Sequence, residues 1–208
     1  MARKPAIVTN GPDFSREKMA LAHGARFVAG VDEAGRGPLA GPVMVAACIL
    51  DPANIPAGLN DSKKLTAAKR EKLFEEILTS SHCAIVSVSA ARIDAINIRA
   101  ATLEGMTHAV ERLAVHPDYA FIDGRDVPKL PCKGEAVIKG DALSLSIAAA
   151  SILAKVMRDR LMRRAHLSWP DYGFADHMGY GTARHLAAIS SYGATPIHRM
   201  SFAPLQHR

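Results

Sequence analysis

Residues 27–50 read FVAGVDEAGRGPLAGPVMVAACIL, and this stretch decides the fold. Residues 26–32 form an apolar, strand-like run that stops at two adjacent carboxylates, Asp32 and Glu33. The loop Gly35-Arg36-Gly37-Pro38 follows, and residues 43–50 form a second apolar run. Two buried strands joined by a tight loop predict a hairpin. Adjacent residues on an ideal strand point to opposite faces. Asp32 and Glu33 can therefore share one ion only where the strand stops, and Gly35 marks that stop. Two acids at a strand end, beside a glycine loop with an arginine, are the parts needed to hold a divalent cation against a phosphodiester.

Outward from this hairpin the pattern alternates. Asn60-Asp61-Ser62 is turn chemistry. Residues 66–78 have helical periodicity, with Leu73, Phe74, Ile77 and Leu78 on one face. Residues 83–88 read as a strand, and residues 98–113 as a helix with Leu103, Met106, Val110 and Leu113 as its apolar stripe. Residues 119–122 read as a short strand ending at Asp123-Gly124. Residues 136–139 read as another, closed by Gly140-Asp141. Residues 143–167 predict a long helix, small and apolar at first and basic later, which Pro170 and Gly173 break. Residues 182–190 predict a short terminal helix. Strands followed by alternating helices and strands indicate a mixed α/β class.

Asp32 and Glu33 end one strand, Asp123 ends another, and Asp141 precedes a helix. Strand ends in an α/β sheet converge on one edge and present their loops there. Taken singly, Asp123-Gly124 reads as a turn and Asp141 as a helix cap. Taken together, carboxylates brought to one place repel each other unless a cation compensates them, so the four indicate a metal site. No His or Cys lies in these motifs; oxygen ligands suit Mg²⁺ or Mn²⁺ and disfavour zinc. The spacing Gly35-x-Gly37-x-x-x-Gly41 also resembles a loose dinucleotide fingerprint. That motif must open a helix, whereas residues 42–50 read as a strand, and two acids would face the pyrophosphate.

The 208 residues suit one domain with a sizeable core. No apolar run reaches the roughly 18 residues of a membrane helix, and the first residues lack the apolar middle of a secretion signal. Residues 1–25 read as a flexible N-terminal arm. Cys48, Cys83 and Cys132 form no C-x-x-C pair and read as reduced thiols in a cytoplasmic protein, with no membrane partner. The net charge of +6 permits a polyanion partner. Residues 155–208 hold eight Lys and Arg against three Asp, so most of the excess sits in the last quarter. His166, His177, His185 and His198 are scattered and read as surface or packing residues.

The run VDEAGRGPLAGPV at 31–43 resembles the signature of the bacterial ribonuclease HII family, a branch of the type 2 ribonucleases H. Weaker blocks agree in order: NDSKKL at 60–65, FIDG at 121–124, KGD at 139–141, SIAAASILAKV at 146–156, RDR at 158–160, GYGT at 179–182 and PIHR at 196–199. The resemblance spans about residues 26–203. It implies a ribonuclease H-like mixed β-sheet flanked by helices over 26–168, with a small C-terminal helical segment, 169–208, completing the substrate cleft. The implied activity is cutting the RNA strand of RNA–DNA hybrids and cutting 5′ of single ribonucleotides in duplex DNA. Two divalent ions, Mg²⁺ or Mn²⁺, would serve a monomeric enzyme and leave 3′-hydroxyl and 5′-phosphate ends. Asp32, Glu33, Asp123 and Asp141 match the family's metal-binding carboxylates. Gly35, Arg36 and Gly37 match the loop that reads the ribose 2′-hydroxyl. Tyr180 matches the tyrosine stacked on the following deoxyribose, and Lys63 a lysine near the scissile phosphate. Ser151, Lys155, Arg158 and Arg184 are expected backbone phosphate contacts, as are Arg163 and Arg164 on charge alone. Competing classes are a non-catalytic nucleic-acid-binding module, and a metal-dependent phosphatase or DNA nuclease on a similar fold.

Overall fold

Val28–Ala34 (β1) and Val43–Leu50 (β2) pair antiparallel, from Ala29 opposite Ile49 to Ala34 opposite Met44, which is the expected hairpin. The computed structural model describes residues 11–207, with side chains as far as Gln206. β2 also pairs antiparallel with Ser81–Val88 (β3). On its other edge β1 runs parallel to Tyr119–Asp123 (β4), and β4 runs parallel to Lys133–Val137 (β5). The sheet order is β3-β2-β1-β4-β5.

β2 is buried along its whole length because both faces are covered. Val43, Val45, Ala47 and Ile49 pack in one core with Ile93 of Ala90–Ile96 (α3) and with Met106 and Val110 of Ile98–Glu111 (α4). Met44, Ala46, Cys48 and Leu50 face the opposite core. There they meet Leu73, Phe74 and Ile77 of Ala67–Ser80 (α2) and the alanine-rich start of Leu145–Ser168 (α5). Small residues let α5 lie close on the sheet. A Cβ on Gly30 of β1 would fall 2.1 Å from the Ser146 carbonyl carbon and 2.2 Å from the Ile147 nitrogen.

Several elements depart from expectation. The edge strand is Lys133–Val137 rather than 136–139; its polar residues carry almost no alternating apolar signal, and Lys139 turns left-handed with φ 58°. Leu78 is 42% exposed instead of joining the apolar face of α2. α3 is absent from the sequence reading, although Ser89 caps it by accepting from the Arg92 amide at 3.2 Å. Within the expected flexible arm over 1–25, Ser15–Ala22 (α1) instead docks on the body, while residues 1–10 lie outside the described residues. Fully buried Glu17 on α1 accepts from Ser144 Oγ at 2.6 Å and from Ser146 N at 3.0 Å, at the first turn of α5. There its carboxylate faces the positive end of a 24-residue helix.

A third core joins Leu39 and Ala40 of the loop after β1 to Met162 and the C-terminal segment, which contains Phe174–His177 (α6) and Ala183–Tyr192 (α7). Backbone bonds fasten the two. Leu39 N donates to Gly179 O at 2.9 Å, Gly41 N to Ile197 O at 2.8 Å, and Arg199 N to Leu39 O at 2.8 Å. Asp94 of α3 accepts from the amides of Met200 and Ser201, each at 2.9 Å. The segment is therefore anchored to α3 and to the far end of the loop that follows Asp32 and Glu33.

Candidate active site

Parallel pairing sets Val28 against Tyr119 and Val31 against Ile122, so the carboxyl ends of β1 and β4 emerge side by side. Asp32 and Asp123 stand one step beyond the Val31–Ile122 pair. Val31 and Ile122 belong to the core on the α4 side, so alternation turns Asp32 and Asp123 together toward α5. Glu33 closes the group: one carboxylate oxygen from each of Asp32, Glu33 and Asp123 lies within 4.8 Å of the others. Both members of the Asp32-Glu33 pair reach this point while still inside β1, which runs on to Ala34.

Asp141 stands beside this trio, on the short 3-10 turn Gly140–Ala142 that leads into α5. The Gly140 amide donates to Asp123 Oδ1 at 2.7 Å, which ties the turn to β4. Lys63 lies on another 3-10 turn, Ser62–Lys64, capped by Asp61, and its ammonium is 3.9 Å from Asp141 Oδ2. Ser151 on α5 is buried and donates to Ser62 Oγ at 2.8 Å, so it braces the Lys63 turn from the interior.

The electrostatics follow from this crowding. Burial, then Glu33 and Asp123, push the Asp32 carboxyl well above the usual carboxylate range, against the opposing bond from the Glu33 amide. Burial raises Glu33 as well, and Arg36, at 3.5 Å, partly offsets it. Asp141 is raised by burial and then by Asp61 and Asp123, while Lys63 lowers it. For Lys63, burial alone would lower the ammonium, but Asp141, Asp61, Asp32 and Asp123 carry it above its ordinary value. Clustered, partly desolvated carboxylates with all-oxygen donors fit a hard divalent cation such as Mg²⁺ or Mn²⁺.

The Gly-Arg-Gly loop is held from beneath. Arg199 is fully buried, and its guanidinium donates to the carbonyls of Gly35 at 2.5 Å, Arg36 at 2.8 Å and Gly41 at 2.9 Å. Burial, and then the charge of Arg158, pulls its pKa down to about 9. Arg158, also buried, donates to Pro42 O at 3.2 Å and Ala40 O at 3.1 Å. This corrects the expectation that Arg158 meets a backbone phosphate, for its charge is spent on the loop. Gly35 has φ +96°, and a Cβ there would lie 1.9 Å from Arg158 Nε. Glycine is required on both counts. Tyr180 is 50% exposed, and a Cβ on Gly37 would come 3.6 Å from its ring. The loop and the tyrosine therefore share one wall.

Of the other basic residues, Lys155 pairs with Asp159 at 2.7 Å and Arg184 with Asp176; Arg184 stays at the surface. Arg163 is half-exposed and 3.7 Å from Glu71. Ser151 is enclosed, so its expected phosphate contact is also replaced by a bracing role. Asp61, which reads as turn chemistry in the sequence, also sits close enough to Asp141 to raise its carboxyl. His185 and His198 are buried, as a packing role requires, although what their rings bond to is set only in three dimensions.

The family model described as Ribonuclease HII matches residues 29–205. The Ribonuclease HII of Rhizobium johnstonii is 58% identical over 196 residues, covering 94% of this chain and 86% of that protein. That of Brucella canis is 54% identical over 200 residues, covering 95% and 91%. Among solved structures, the ribonuclease H2 of Pyrococcus horikoshii OT3 superposes with a TM-score of 0.75 at 29% identity, covering 87% of this chain and 96% of that one. Archaeoglobus fulgidus RNase HII, solved in complex with PCNA, gives 0.73 at 31% identity, covering 85% and 95%. Bst-RNase HIII in complex with Mn²⁺ shares the fold, with a TM-score of 0.64 at 18% identity, covering 86% and 68%.

Proposed function

The chain belongs to the ribonuclease HII family, and on that premise we propose how its residues divide the work of cutting RNA. The protein is a metal-dependent endoribonuclease of RNA–DNA hybrids. The finer proposal is incision 5′ of a single ribonucleotide within duplex DNA, leaving 3′-hydroxyl and 5′-phosphate ends. The observation that carries it is the meeting of Asp32, Glu33 and Asp123 within 4.8 Å, beside a glycine loop and a half-exposed tyrosine.

Asp32, Glu33, Asp123 and Asp141 would hold two divalent ions, Mg²⁺ or Mn²⁺. When bound, such ions supply an activated water and stabilise charge on the departing oxygen. Asp32, the most buried of the trio, would hold the ions from the side of the protein interior. Lys63 meets the scissile phosphate from beside Asp141. Selectivity comes from a separate wall, because phosphates are common to RNA and DNA. The backbone of Gly35, Arg36 and Gly37 reads the 2′-hydroxyl, which both donates and accepts hydrogen bonds. Tyr180 stacks on the deoxyribose that follows. Lys155, Arg163 and Arg184 contact flanking phosphates by exchanging their carboxylate partners, and Arg164 contacts them as well. The acids belong to residues 26–168 and Tyr180 to 169–208, so the cleft lies between these parts of a monomer.

The test compares Mg²⁺-dependent cleavage of one duplex with and without a lone ribonucleotide, with Asp32→Asn as the chemical control. Cutting is expected only at the ribonucleotide and only with Asp32 intact. Equal cutting of the all-DNA duplex, or near-normal turnover by Asp32→Asn, overturns the assignment.

A further inference from the structure

Three histidines lie behind Tyr180, and each proton on them can be placed from a neighbouring backbone group. The Thr195 amide donates to His198 Nδ1 at 2.8 Å, so Nδ1 is an acceptor and the proton of the neutral ring sits on Nε2. His198 Nε2 lies 3.0 Å from His185 Nε2, which must then accept. The His185 proton is thereby placed on Nδ1, 2.9 Å from the carbonyl oxygen of Tyr180. His177 follows the same logic. Its Nδ1 receives the Gly179 amide at 3.2 Å, and its Nε2 donates to Tyr172 O at 2.8 Å. Its ring stacks on His185 with centroids 4.6 Å apart, and Phe174 meets His185 edge-on at 5.4 Å.

We propose that His177, His185 and His198 are positioning residues for Tyr180: a hydrogen-bonded pair, His198 and His185, with His177 stacked upon it, that fixes the backbone before and after the tyrosine and sets its ring against Gly37. The inference rests on the stacking role of Tyr180 proposed above. The His198–His185 pair ends at the Tyr180 carbonyl, in the peptide that follows the tyrosine, and the stacked His177 holds the Gly179 amide, one peptide before the group that precedes it. The Tyr180 side chain itself is half-exposed, so its aim depends on the backbone beneath it. Charging His185 would place two N–H groups face to face across 3.0 Å, and charging His198 would set a new Nδ1–H against the Thr195 amide at 2.8 Å. Burial lowers His185, and burial followed by His185 pushes His198 down to about 4, which keeps both neutral at physiological pH. Gly179 also accepts from Leu39 and Ala40, so the same backbone joins the Gly-Arg-Gly loop to the tyrosine.

Nitrogen-15 NMR of the intact enzyme reads the tautomers directly: the proton is expected on Nδ1 of His185 and on Nε2 of His198. The opposite pattern, or a charged ring at pH 7, overturns the inference. Kinetics on a duplex with one ribonucleotide complete the test. His185→Leu removes the bond to the Tyr180 carbonyl and should lower kcat/KM about tenfold. His185→Asn, whose amide nitrogen replaces Nδ1, should recover most of that loss. In a Tyr180→Ala background His185→Leu should cost nothing further, because both changes remove one function. If Tyr180→Ala lowers activity but the two losses multiply, the positioning role fails while stacking stands. If Tyr180→Ala is without effect, the stacking role fails and takes this inference with it.

Discussion

Removing one charge from the acidic site should stabilise the metal-free protein, even though it abolishes activity. Asp32 shares a space of 4.8 Å with Glu33 and Asp123, and it is 5% exposed. Two like unit charges at that separation repel by about 3.5 kcal/mol at an effective dielectric constant of about 20. Arg36 screens Glu33, and Lys63 adds positive charge at the rim. A net relief of about 2 kcal/mol is therefore expected from Asp32→Asn at pH 7.5. Asparagine keeps an oxygen for the Glu33 amide, which Asp32 now accepts at 2.7 Å. For a chain of this size the relief corresponds to about 4–8 °C in Tm. The assay is thermal unfolding in a chelator and again in saturating Mg²⁺. Wild type should melt below Asp32→Asn in the chelator and overtake it with Mg²⁺, since saturation to 100 Kd adds about 2.7 kcal/mol to the state that binds. The sign has a pH signature. A carboxyl raised in the folded state favours folding below its unfolded value and loses that advantage as pH rises through the raised value. The gap in chelator should thus close on acidification. An Asp32→Asn protein that melts lower than wild type without metal, at pH 7.5, refutes the electrostatic account.

Gly35→Ala and Gly37→Ala should separate sharply. The first forces a Cβ to 1.9 Å from Arg158 Nε at positive φ and should lose both loop structure and cleavage, whereas the second leaves 3.6 Å to Tyr180 and should fold normally, altering ribonucleotide recognition alone; circular dichroism and cleavage assays on both variants check this. Arg199→Met strands three carbonyls at the back of the loop and should cost about 3 kcal/mol or more in urea unfolding. His198 is lowered in the folded state, so its contribution is complete above the unfolded value of about 6.5 and is lost as pH falls toward about 4. Wild-type Tm should fall between about pH 6.5 and 5, and His198→Phe should flatten that slope.

The hairpin of β1 and β2, the α2, α4 and α5 helices and the β4 strand are legible in the chain, because each is written in a local signal: apolar runs, helical periodicity, or a Ser or Thr cap. The same local grammar points to Asp32, Glu33, Asp123 and Asp141 as acids at element ends. It fails for β5, whose Lys133-Gly134-Glu135 start has no apolar alternation, and for α1, which is held by tertiary contacts alone: the buried bond network from Glu17 to the start of α5, and Ala20 and Leu21 against Val28 and Phe121.

Local patterning thus determined which residues form strands and helices and which acids end them. Only the tertiary structure decided that Asp32 and Asp123 meet, since parallel pairing of β1 with β4 unites positions 91 residues apart. It also decided which basic residues face solvent. Arg158 and Arg199 look like their charged neighbours in sequence, yet the packing of residues 169–207 over the Gly-Arg-Gly loop buries both and turns their charge onto backbone carbonyls. Charge in a sequence carries no direction; burial supplies it.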